Sequence, residues 1–206
     1  MNRRLLILLK MLVWLACFAP FVWLAWGAVT NNLGPDPTGT IAFATGKTTL
    51  RLLVITLAIS PLRRIWPRLS WLIKFRRLLG LFAFFYATLH MLTYVALYSG
   101  FNISRMLSDV ANRRFITAGA AAYLLLIPLA FTSTTWAIRK LGGKRWNRLH
   151  MLIYPAAILG VIHFWWQLKP GVLTPMRITI ILAVLLAVRP VLAWRQHRKA
   201  RRAVAA

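Results

Sequence analysis

Acidic side chains are almost absent from this sequence. Its 206 residues include two, Asp36 and Asp109, against 27 Lys and Arg, for a formal charge of +25. Both acids fall in predicted loops, which excludes a carboxylate-bridged metal site. Cysteine is as scarce: Cys17 stands alone inside an apolar run, so no intramolecular disulfide can form. There is no Gly-rich phosphate loop and no nucleophile–base pair. Polar surface is short as well. With 60% hydrophobic and 13% aromatic residues, a soluble domain of this composition would aggregate. The positive charge alone would suit nucleic acid, but Lys and Arg cluster beside apolar runs. That is the pattern of cytoplasmic flanks and of contact with anionic membrane lipid. Nucleic-acid binding is not expected.

What the chain does have is six apolar runs near the length that crosses a bilayer. They predict an all-α integral membrane bundle of six transmembrane helices, spanning about 12–29, 40–62, 78–100, 115–136, 147–167 and 176–194. The first run follows Arg3, Arg4 and Lys10 and resembles a signal peptide. It is long for that role and carries Trp, so a retained span is expected. NNLGPDPTG (Asn31–Gly39) predicts a turn. Basic residues crowd the N-terminus, Pro61–Arg77, Ala137–Arg148 and the tail after Trp194. The stretches Phe101–Arg114 and Lys169–Pro175 hold few, so an even number of spans with both termini cytoplasmic is expected. Pro61–Arg77 and Ala137–Arg148 are expected to be cytoplasmic loops, the first partly an amphipathic surface segment.

Four histidines occur, and three lie inside predicted spans: His90, His150 and His163. The fourth, His197, sits in a basic tail and reads as solvated or at the headgroups. Ionisable groups at membrane depth are expensive and mark function. His90 lies thirteen residues after Arg77 and His163 fifteen after Arg148, each about 20 Å along its helix. The two spans run the same way, so the imidazoles of His90 and His163 can meet at one iron. Since no C-x-x-C-H motif occurs, a haem there would be b-type, held without a covalent bond. His150 lies near the rim, level with Arg76 and Arg77, with no histidine to match it on span three. It reads as a ligand of a second haem with another sixth ligand, or as a headgroup-level residue orienting a loop or a quinone. Pro155, between His150 and His163, predicts a kink in one continuous span. Gly160 is expected to let a flat macrocycle approach the backbone. Arg51 must lie within the membrane, either snorkelling outward or pairing with a haem propionate.

The segments PLRR (Pro61–Arg64), RRLLGLFAFFYATLHMLTY (Arg76–Tyr94), LAFTS (Leu129–Ser133) and LGGKRWNRLHMLIY…HFWW (Leu141–Trp166) together resemble the MsrQ (YedZ) family. These are haem-binding subunits within the ferric-reductase-like transmembrane domains, related to NADPH oxidases. The resemblance covers nearly the whole chain and implies a single such domain over 1–206 in the bacterial inner membrane. It implies electron transfer from the quinone pool or a cytoplasmic flavin reductase, through haem b, to a periplasmic MsrP-like molybdopterin enzyme that reduces methionine sulfoxide in proteins. FMN is a further cofactor linked to the family. The ligand roles carry over to His90 and His163, with His150 a further family histidine. Arg76 or Arg77 stands where the oxidases have a second histidine on span three, so Arg77 joins Arg51 as a candidate cofactor contact. No nucleotide-binding domain follows span six, so direct NADPH oxidation is not expected. The alternatives are a ferric-reductase-like or cytochrome b561-like quinone oxidoreductase with another acceptor, and a haem-free transporter or assembly factor.

Overall fold

The structure is a computed structural model and describes residues 2–167 and 174–204. The predicted loop Lys169–Pro175 lies mostly outside the described residues, as does the His197 side chain. The helices in chain order are α1 (Arg3–Val29), α2 (Pro37–Ile65), α3 (Arg76–Thr93), α4 (Ile103–Asn112), α5 (Arg114–Phe131), α6 (Thr135–His150), α7 (Ile153–Gln167) and α8 (Thr174–Val204). A 3-10 helix, Pro67–Phe75, leads into α3, and a π-helical turn, Tyr94–Tyr98, extends it. No strand occurs among the described residues. Among the described residues, six helical segments are long and apolar enough to cross a membrane, covering 3–29, 37–65, 67–98, 114–131, 135–167 and 175–194. The chain is a multi-pass membrane protein of the all-α class.

Side-chain capping explains where half of the helices begin. Asn2, Asp36, Asn102 and Thr134 each accept a backbone N–H of the first turn, from Arg4, Gly39, Arg105 and Ala137. Pro37 follows its cap at the start of α2, where a missing N–H does no harm. Gly34, at φ 83°, takes the left-handed conformation that the α1–α2 turn needs. One of the two acids is thus a helix cap. The other, Asp109 on α4, accepts from Tyr94 at 2.9 Å and pairs with Arg113 at 3.0 Å.

Two helix pairs form the centre, α2 with α3 and α5 with α7. Small residues let them close up: Ala83, Ala156 and Ala157 are essentially inaccessible, and Ala118 and Ala122 are buried. The outer spans α1 and α8 bury little and turn Leu12, Trp23, Ile180 and Val184 outward, as lipid-facing helices do.

Two expectations about helices are corrected. Span five is not one kinked helix. It breaks at Met151–Leu152, so His150 ends α6 and His163 belongs to α7. Pro155 has no N–H for the Met151 carbonyl and hinders a helical ring one turn back, so the chain turns there and restarts. Ala137–Arg148 is not a loop either. It is helical within α6, interrupted at Gly142 with φ 73° and ψ 150°. Likewise α4 occupies most of what reads as a polar loop. Its exposed Ile103, Leu107 and Val110 give it an apolar side.

Candidate metal centre

His90, late in α3, and His163, late in α7, meet between the two central pairs. Their ring centres are 5.8 Å apart, with the planes 81° to each other. Two imidazoles opposed across one metal, each nitrogen about 2 Å from it, have centres roughly 6 Å apart. The observed pair has that spacing.

Each ring is held from behind in the same way. His90 Nδ1 lies 2.9 Å from the Ala42 carbonyl of α2, and 3.4 Å from Thr45 Oγ1. His163 Nδ1 lies 2.6 Å from the Phe115 carbonyl of α5. A carbonyl only accepts, so in both rings Nδ1 donates and carries the hydrogen. The lone pair of each neutral ring is then at Nε2, the nitrogen suited to a metal. Glycines back both rings. A Cβ on Gly46 would lie 3.1 Å from His90 Cε1, and one on Gly119 would lie 2.7 Å from His163 Nδ1. No group of three or more His, Cys, Asp and Glu occurs among the described residues. Two imidazoles are too few for a bare zinc site and suit a metal that brings its other ligands with it.

The remaining candidates lie elsewhere. His150 has Nε2 3.1 Å from Thr132 Oγ1, and its ring stacks on Trp146 at 3.9 Å. Trp146 Nε1 donates to the Thr132 carbonyl at 2.8 Å. These contacts fold the α5–α6 corner over His150, and neither His90 nor His163 is brought to it. Arg51 is exposed between buried Leu50 and Leu52, and Arg77 is exposed while Arg76 is half-buried. The space beside Gly160 is taken by Leu50, 3.0 Å from where a Cβ would be.

Sequence reasoning named the histidines but not Ala42, Thr45, Gly46, Phe115 and Gly119, which hold or back their rings. A signal for them was present. Each glycine precedes its histidine by 44 residues, and each residue whose carbonyl accepts from the ring precedes it by 48.

A helical multi-pass membrane protein with an interior pair of carbonyl-anchored imidazoles is the class that these features define. The model of the ferric reductase like transmembrane component matches residues 38–161, from the start of α2 to within α7. The chain belongs to this ferric-reductase-like family, within which it groups with the MsrQ proteins. Three similar proteins carry the name protein-methionine-sulfoxide reductase heme-binding subunit MsrQ. That of Herminiimonas arsenicoxydans is 46% identical, over 94% of this chain and 89% of its own. That of Ralstonia nicotianae is 42% identical, over 92% and 88%. That of Rhodospirillum rubrum is 42% identical, over 93% and 92%.

Proposed function

We propose that this chain is the haem-binding electron-transfer subunit of a protein-methionine-sulfoxide reductase system, with b-type haem iron held between His90 and His163. The observation that carries the reading is the approach of the two imidazoles to 5.8 Å, each with Nδ1 on a backbone carbonyl. Haem held by two imidazoles supplies a one-electron couple with no open iron position. The names of the relatives support the same cofactor. The chain's own residues hold the rings in one tautomer, keep water from the interior and fix the distance between two helix pairs. Among the described residues His150 meets Thr132 and Trp146 and no second imidazole, so the reading places the haem between His90 and His163.

Within this reading the donor is the quinone pool or a cytoplasmic flavin reductase. The acceptor is a periplasmic MsrP-like molybdopterin enzyme acting on methionine sulfoxide in oxidised proteins. FMN is the second candidate cofactor, and the membrane is the bacterial inner membrane. The crowding of Lys and Arg on one set of connections supports the orientation.

The absorption spectrum of the purified protein is the test. A Soret band that shifts on dithionite is expected, with haem lost from His90→Ala and from His163→Ala. A wild type without that band, or two variants with full haem, overturns the reading. For the partner, deletion of this chain is expected to abolish methionine-sulfoxide reduction in the periplasm; unchanged reduction removes the assignment.

A further inference from the structure

The two halves of the centre are copies in architecture. His163 follows His90 by 73 residues, Phe115 follows Ala42 by 73, and Gly119 follows Gly46 by 73. In each half a histidine late in the second helix reaches a carbonyl early in the first helix of its pair. In each half the glycine stands four residues after that carbonyl. The spacing has a physical reason. A helical Cβ tilts toward the N-terminus and lies over the turn before it, so a side chain at position i+4 screens the carbonyl of residue i. A Cβ on Gly119 would lie 2.7 Å from His163, so that ring must shift, and one on Gly46 would lie 3.1 Å from His90, so that ring must give by a few tenths of an ångström.

We propose that Gly46 and Gly119 are paired positioning residues which open the Ala42 and Phe115 carbonyls to the two imidazoles and thereby set the reduction potential of the metal between them. The inference rests on the haem reading above. An imidazole that donates Nδ1–H to a carbonyl is a more basic ligand and favours the oxidised metal. Weakening that bond by moving the ring raises the potential. The tighter approach at Gly119 makes its half the more sensitive.

The experiment compares Gly46→Ala, Gly119→Ala and the control Gly80→Ala in the purified, haem-loaded protein. At Gly80 a Cβ would meet only Thr56 Cγ2, at an ordinary 4.0 Å. Haem content, midpoint potential and the low-temperature electron paramagnetic resonance of the oxidised form are read, with circular dichroism reporting the fold. The expected result is a more positive potential and shifted resonance in both test variants, larger for Gly119→Ala, with the control unchanged. If Gly119→Ala does not fold, the milder Gly46→Ala decides. Folded variants with wild-type potential and resonance overturn the inference while leaving the haem reading in place. A wild type that takes up no haem overturns the reading first, and the inference with it.

Discussion

One hydroxyl ties the first span to the bundle. Tyr86 on α3 is fully buried, donates to the Cys17 carbonyl at 2.7 Å and accepts from the Phe21 N–H at 3.0 Å. Cys17 O and Phe21 N are four residues apart, the two ends of one step in the helical ladder, so the hydroxyl grips α1 at a single turn. These are two ordinary hydrogen bonds of a neutral hydroxyl, so Tyr86→Phe costs only about 1 kcal/mol. Its expected effect is on docking rather than on helix content. Cys17 is buried, and as the chain's sole thiol it reports on that docking without further engineering. Faster alkylation of Cys17 by a maleimide in Tyr86→Phe than in wild type checks this. An unchanged rate would mean that apolar packing of Phe18 and Phe21 against α3 suffices.

Prolines set how the helices join, and one of them explains an arginine. Pro61 lies inside α2 and has no N–H for the carbonyl of Leu57. Arg189 of α8 fills that vacancy, with Nη2 donating to the Leu57 carbonyl at 2.5 Å and Nη1 donating to the Tyr154 hydroxyl at 2.8 Å. A cation within a lipid-exposed span thereby holds three helices, α2, α7 and α8, at one point. The guanidinium also stacks over the Tyr154 ring, 5.0 Å from its centre. Arg189→Ala is expected to destabilise the protein by about 1 kcal/mol, since intramembrane hydrogen bonds contribute little more than that. The measurable consequence is earlier proteolytic release of α8 on mild heating, with α2 and α3 still protected. Pro155 acts differently, because it stands in the first turn of α7 and turns the preceding corner instead of bending a helix. That corner separates His150 from the helix that carries His163.

At the scale of the molecule, the charge distribution predicts an orientation. With an even number of spans both termini share one side, and the crowding of Lys and Arg leads us to expect that side in the cytoplasm. A fluorescent protein fused after Ala206 is therefore expected to glow. Alkaline phosphatase fused at the same place is expected to be inactive, and active when inserted near Ser108. The reverse pattern would invert the direction of electron flow proposed above.

The bilayer makes much of this fold readable from composition. Apolar runs of membrane length must become helices, because lipid offers no partner for backbone groups. So the six spans, the membrane class and the matching levels of His90 and His163 along their helices follow from the amino acids alone. The break after His150 was half visible, as Pro155 marked it but did not say whether the helix would bend or end. Tertiary packing decided the rest. The placing of Arg51 and Arg77 on the exterior depends on how α2 and α3 rotate about their axes, and span length carries no information on rotation. The roles of Gly46, Gly119, Ala42 and Phe115 depend on contacts between residues 44 or 48 positions apart. Hydrophobic periodicity is local, whereas a ring reaching a carbonyl on a neighbouring helix is set by the fit of two packed surfaces.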